Sequence, residues 1–308
     1  AAYVDLVYRS GAANQIPAPY ERLFTSVPAE SVGLIVERPE YRQARLALDA
    51  WRAGVPGGLL VWGTRGSGRR TCVRWLAAAA ADDVDVNWIR LSPGLEREAD
   101  VTRQVAEILR VRPVRDFAVL AALVRGASAS ESRDADEGKR PKVIVVENAE
   151  RLFRRNPEGL ARMRRFLDLV SSNARDVMWI VLMTEASVRL LDPILELRAR
   201  FPTSLRIGPA SPATLEAMIS ARHRLSALSL EIHSRRPRLG EFVRNPLAAV
   251  RSLRGPSFGA YERLAILSGG NPRQALRLWL ASTKVVGGEN GRAIVGPTST
   301  SASSGMRT

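Results

Sequence analysis

A strand-sized apolar run, Leu59-Leu60-Val61-Trp62, leads directly into Gly63-Thr64-Arg65-Gly66-Ser67-Gly68-Arg69-Arg70-Thr71, and a helical pattern follows over about Arg70 to Ala81. A run that is apolar at every position suits a strand buried on both faces of a parallel sheet. Glycines let the backbone turn sharply and point its N–H groups inward at a phosphate. The helix that follows brings its positive N-terminal end to the same place. Strand, glycine turn and helix in that order are the setting a phosphate-binding loop requires. Against the pattern G-x-x-x-x-G-K-[ST], Gly63 and Gly68 fit. Arg69 replaces the lysine, keeping its charge but not its shape. Arg70 stands where a hydroxyl would bind magnesium, and Thr71 comes one residue late. The competing reading is a strand–helix turn that binds nothing.

The rest of the chain repeats the alternation. Strands are expected at Val86 to Leu91, Val143 to Val146, Trp179 to Met183 and Ser204 to Ile207. Helices are expected over about 40–51, 98–109, 116–124 and 159–171, the last with Leu160, Met163, Leu167 and Val170 on one face and Arg162, Arg165 and Asp168 elsewhere. The fold class is therefore α/β, a parallel five-stranded sheet flanked by helices. Four segments follow: an N-terminal arm or linker over 1–30, the α/β domain over 31–208, a small all-helical domain over 209–284 and a disordered Gly/Ser/Thr-rich tail over 285–308. The polar stretch 126–142 reads as a mobile loop.

The third strand ends Val145-Val146-Glu147-Asn148, about 80 residues after the glycine turn. A buried strand ending in acid is where phosphoryl-transfer proteins hold magnesium and polarise the attacking water. Glu147 is the candidate for the first task. Asn148 stands at the position of the second, but an amide cannot take a proton from water. A strand with a polar cap is the bland alternative. Further on, Ser268-Gly269-Gly270-Asn271-Pro272-Arg273 is built to start a helix, with Asn271 as cap, Pro272 at the first position and Arg273 on the first turn.

Together these residues resemble the AAA+ class of P-loop ATPases, particularly its origin-recognition-like and STAND-like branch, over about residues 31–283. Gly63–Thr71 looks like Walker A, and Val143–Asn148 like Walker B. Val32-Gly33 through Glu37-Arg38-Pro39-Glu40 resembles the segment that helps form the adenine pocket. The resemblance implies a sensor-1 role for Thr184, an arginine finger at Arg200 within Arg198-Ala199-Arg200-Phe201, and a sensor-2 role for Arg273 in a helical lid. It also implies ATP or ADP as cofactor, and self-association into a ring or a larger assembly. The chain departs from that pattern at four chemical positions: the Walker A lysine and hydroxyl, and the Walker B aspartate and catalytic acid. Mg2+ handling and hydrolysis are weakened together, and Arg65, Arg69 and Arg70 are expected to neutralise phosphates directly instead.

Charge adds a second line. The 308 residues carry 46 Lys+Arg against 31 Asp+Glu, a net charge of +15, and only three of the basic residues, Lys139, Lys142 and Lys284, are lysines. The excess of base suggests an anionic partner: nucleic acid, phosphate or an acidic membrane surface. The excess of base over acid is concentrated after Ala210, with eleven arginines against four glutamates over 210–283. The single Cys72 excludes an internal disulfide and fits a reducing compartment. No signal peptide and no apolar run long enough to span a bilayer is visible, so a cytoplasmic location is expected. The chain begins Ala1-Ala2 without methionine, as a processed or excised piece would. No metal site is expected from two histidines and one cysteine. Cys72 reads as a buried helix residue and His223 as part of a solvated surface. Trp62, Trp75, Trp88, Trp179 and Trp279 read as core. Three functions stand open: a regulatory or assembly module controlled by ATP with weak or absent hydrolysis, a pseudo-ATPase scaffold without nucleotide, and a basic nucleic-acid-binding protein.

Overall fold

Five parallel strands form the main sheet: β1 (Leu59–Gly63), β2 (Asp85–Arg90), β3 (Lys142–Glu147), β4 (Val177–Thr184) and β5 (Thr203–Arg206), in the order β2-β3-β4-β1-β5. The computed structural model describes residues 16–25, 32–94, 97–131, 140–226, 228–232, 258–286 and 292–295. These fall into two units, one spanning Glu37–Gly208 and the other built from the described residues up to Val36 and from Pro209 onward.

In the first unit every strand pairing is parallel. Parallel neighbours cannot be joined by tight hairpins, so helices carry the crossovers, among them Arg69–Ala79, Glu98–Leu109, Phe117–Glu131, Pro157–Ser172 and Glu185–Leu195. The central strands β3 and β4 are covered on both faces, which is why their runs are apolar throughout. Around Trp179 the core is aromatic: Phe166 meets it edge-on with centroids 6.3 Å apart, and Phe117 lies 5.6 Å from Phe166. Of the tryptophans expected in the core, Trp179 and Trp279 are fully enclosed. Trp88 is 37% exposed because β2 lies at the sheet edge. The helix Pro157–Ser172 starts on Asn156, whose side chain accepts the Gly159 N–H at 2.7 Å. Arg162, expected away from its buried face, is itself buried and pairs with Glu158 at 3.0 Å. Residues 126–131 of the expected loop continue the helix Phe117–Glu131, and 132–139 lie outside the described residues.

The second unit is not all-helical. Beside the helices Ala18–Leu23, Pro212–His223, Phe258–Ser268 and Pro272–Ser282 it holds β6 (Ser229–Ile232), β7 (Thr283–Val286) and β8 (Arg292–Val295), in the order β6-β8-β7. β8 runs parallel to β6 and antiparallel to β7. Four-residue strands carry too short a period to be read from sequence, and β6 finds its partner β8 some 63 residues along the chain. The expected tail thus contains β8 and the end of β7, while 287–291 and 296–308 lie outside the described residues. The expected arm contributes Tyr20 and Phe24 to this unit's core, with Leu215, Ile219, Tyr261 and Trp279. His223 is buried rather than solvated: its Nδ1 lies 3.4 Å from the Tyr20 hydroxyl, which also accepts the Trp279 indole N–H at 3.3 Å. Among the described residues no helix is long and apolar enough to cross a membrane.

Candidate phosphate-binding site

The glycine turn leaves the C-terminal end of β1, where Gly63 lies opposite Thr184 of β4. Glu147 lies opposite Leu182 on the far side of β4. Strand order thus brings three sequence-distant segments to one edge, the edge at which open α/β sheets bind ligands. Gly66 and Gly68 have φ of +89° and +103°, values that side chains rarely adopt, so the turn depends on glycine at both. Gly63 is required for a different reason. A Cβ there would lie 2.6 Å from the Ile207 carbonyl oxygen and 2.8 Å from the Ser67 hydroxyl. The Ser67 N–H donates to the Thr64 carbonyl at 3.2 Å, and the Cys72 N–H donates to the Gly68 carbonyl at 2.9 Å as the helix Arg69–Ala79 begins. The Ser67 hydroxyl is buried without a hydrogen-bond partner.

The three arginines of the turn do not act alike. Arg65 is exposed at the tip, with Thr64 beside it; Arg69, Arg70 and Thr71 are half-buried. Arg70 donates to the Glu147 carboxylate in a close ion pair whose acid is only 7% exposed. Arg90, at the end of β2, approaches the same carboxylate at 3.8 Å. Burial lowers the Arg69 pKa from its ordinary value, with Glu150 the strongest charge opposing that shift. One Glu150 oxygen is buried and unpartnered. The expectation that three guanidiniums all face phosphate therefore changes in part: Arg70 is committed to Glu147.

That pairing also answers whether the residues fit a magnesium ion. In a metal-dependent turn, the hydroxyl after the basic residue and the acid ending a neighbouring strand hold the ion. Here the first position is a cation and the second is engaged by it, so the residues present do not fit Mg2+.

Asn148 sits with φ of +57°, and its amide nitrogen donates to the Leu91 carbonyl at 3.0 Å, tying the end of β3 to the chain leaving β2. Thr184 caps the helix Glu185–Leu195 by accepting the Ser187 N–H at 3.3 Å. Arg200 donates to Asp168 at 2.7 Å and to the Leu195 carbonyl at 3.1 Å, within its own chain. Arg273 lies in the second unit, exposed on the first turn of Pro272–Ser282, behind the Asn271 cap. Arg38, expected only as part of the adenine-pocket segment, has contacts with the turn that sequence reasoning missed. It is 4% exposed and donates to the Ser67 carbonyl at 3.1 Å, to Glu40 at 2.7 Å and to the Gly208 carbonyl at 2.9 Å. A basic residue just ahead of Pro39, with an acid two positions on, was the only local signal. The Arg70–Glu147 pair was missed as well, although opposite charges at the turn and at a strand end were a signal that could have found it.

No family model matches the chain, and no curated protein sequence matches it. Solved structures do. Drosophila ORC bound to DNA superposes with a TM-score of 0.50 at 14% identity, over 88% of this chain and 61% of that one. Orc1 of Aeropyrum pernix in complex with DNA gives 0.48 at 18%, over 84% and 62%; a variant of Thermotoga maritima RuvB gives 0.46 at 17%, over 82% and 64%. The chain thus spans a little over three fifths of the length of those chains. Strand order β2-β3-β4-β1-β5, the glycine turn after β1 and the likeness to Drosophila ORC agree: the chain has the AAA+ P-loop fold.

Proposed function

We propose that this chain is an AAA+-like nucleotide-binding module that takes ATP or ADP at the turn Gly63–Thr71 and hydrolyses ATP weakly or not at all. One observation carries the reading: a turn with two left-handed glycines, flanked by a helix N-terminus and the half-buried Arg69, persists intact while the groups for metal and water are replaced. Arg69 would meet the polyphosphate as the usual lysine does, but by a bidentate contact. Glu147 is held by Arg70 and Asn148 by Leu91, so neither residue at the end of β3 is placed to activate water. In this reading nucleotide occupancy, rather than turnover, controls assembly with copies of the chain or with partners, and Arg200 would have to leave Asp168 to reach a neighbour. The test is calorimetric titration with ATP and ADP on wild type and Arg69→Ala, beside a phosphate-release assay. Binding that Arg69→Ala weakens, without robust release, supports the reading; silent titrations with every purine nucleotide overturn it.

The net charge of +15 favours a second reading, contact with a nucleic-acid backbone. Drosophila ORC, similar in fold, was solved bound to DNA. Gel shifts at two salt concentrations test it, since phosphate contacts weaken steeply with salt.

A further inference from the structure

We infer that the Arg70 guanidinium is the resident cation of this site, taking the place on Glu147 that a divalent metal would hold, and that a nucleotide polyphosphate therefore binds here free of metal. The second half rests on the nucleotide reading above; the first stands on the ion pair alone.

Two observations converge. Arg70 occupies the hydroxyl position of the turn, one residue after Arg69, so its backbone is where a metal ligand would be. Its side chain then reaches the one strand-end carboxylate that would otherwise face the ion, and Glu147 is buried while the pair forms. Arg90 adds a second cation at 3.8 Å, making the carboxylate a poor target for any further positive ion. A buried acid that loses its partner is strongly destabilising, so the pair holds unless a ligand replaces it. The charge balance points the same way. Metal-free ATP is more negative than its magnesium complex, and the turn offers it Arg65 and Arg69 with the positive end of the helix Arg69–Ala79.

The experiment has two readouts, one without nucleotide. Wild type, Arg70→Thr and the double variant Arg70→Thr/Glu147→Gln are melted in EDTA and in Mg2+ at matched ionic strength. Mg2+ is expected to leave wild type unmoved, to raise Arg70→Thr by ~2–4 °C and to leave the double variant unmoved, because the freed acid is what takes the ion. In calorimetric titration, wild type is expected to bind ATP equally, within about twofold, in EDTA and in Mg2+, while Arg70→Thr gains about tenfold from Mg2+. Glu147→Gln, which releases Arg70 toward phosphate, is expected to bind ATP more tightly in EDTA than wild type does. That variant decides the matter if Arg70→Thr does not fold. Wild type that is stabilised by Mg2+, or that binds ATP about tenfold more tightly with it, overturns the inference. So does a folded Arg70→Thr chain indifferent to Mg2+ in both readouts, or a Glu147→Gln chain that loses ATP. If every chain is silent toward ATP and ADP while the melting pattern holds, the nucleotide reading falls and Arg70 remains as the cation of Glu147.

Discussion

The Arg38 guanidinium donates to the Ser67 carbonyl at 3.1 Å, joining residues 29 apart and holding the middle of the glycine turn from behind. Its other donors reach Glu40 and the Gly208 carbonyl, so one planar group fixes the turn, the start of the helix Pro39–Arg52 and the end of the first unit. Arg38→Met should remove about 3–5 kcal/mol of stability, because Glu40 and two carbonyls lose a buried partner. Arg38→Lys should recover part of it, since an ammonium cannot reach three acceptors in one plane. Urea unfolding measures both. A loss under about 1 kcal/mol for Arg38→Met would show that the clamp is ornamental.

Two glycines of the turn should fail for different reasons. Gly68→Ala has room for its methyl, with Tyr41 Oη 3.5 Å away, so its cost is backbone conformation, about 1–2 kcal/mol. Gly63→Ala drives a methyl against the Ile207 carbonyl, which belongs to the chain leaving β5 and cannot rotate away. Its cost should be larger, up to about 3 kcal/mol, with ATP affinity falling alongside. Thermal melts of the two variants give the order, and equal losses would refute it.

Cys72 is fully buried at the start of the helix Arg69–Ala79, and burial pushes its thiol up to about 12. The thiolate, the reactive form, is therefore scarce in the folded chain at neutral pH. A thiol-directed reagent should label the native protein far more slowly than the urea-unfolded protein, at a rate that follows unfolding. Rapid native labelling would contradict the burial.

His223 gives the second unit a pH dependence of known sign. Burial holds its pKa below the ordinary 6.5, and its Nε2 is buried without a partner. Below pH 6.5 the unfolded chain therefore binds more protons at this residue than the folded one. Stability from this residue is complete above the ordinary value and is lost as pH falls from there toward the lowered folded value, by no more than about 1.4 kcal/mol per pH unit. Melting at about pH 7.5 and about pH 5 should show the fall, and His223→Gln should flatten it. An unchanged slope in that variant would assign the effect elsewhere.

The glycine turn, the apolar strands and the helix start at Asn271-Pro272 were readable because each is a local rule. Conformational freedom, burial on both faces and a side-chain cap act within a few residues of their cause. Arg38 was not readable, since its three acceptors come from Glu40, Ser67 and Gly208. His223 was misplaced because flanking arginines suggested a wet surface, whereas Tyr20, 203 residues away, encloses it. Strands β6, β7 and β8 escaped notice because each is four residues long, and β6 takes its partner β8 from a distant part of the chain.

By itself the sequence determined that this chain builds a buried parallel sheet with a phosphate-type turn after its first strand, and that the usual metal-binding groups of such a turn are replaced. Only the tertiary structure decided what stands in their place. Strand order sets β3 two positions from β1, within reach of the first turn of the helix Arg69–Ala79, and there the Arg70 charge meets the buried Glu147 carboxylate. Spacing along a chain fixes local geometry, but a buried charge takes its partner from whatever the packing of distant segments brings within a few ångströms.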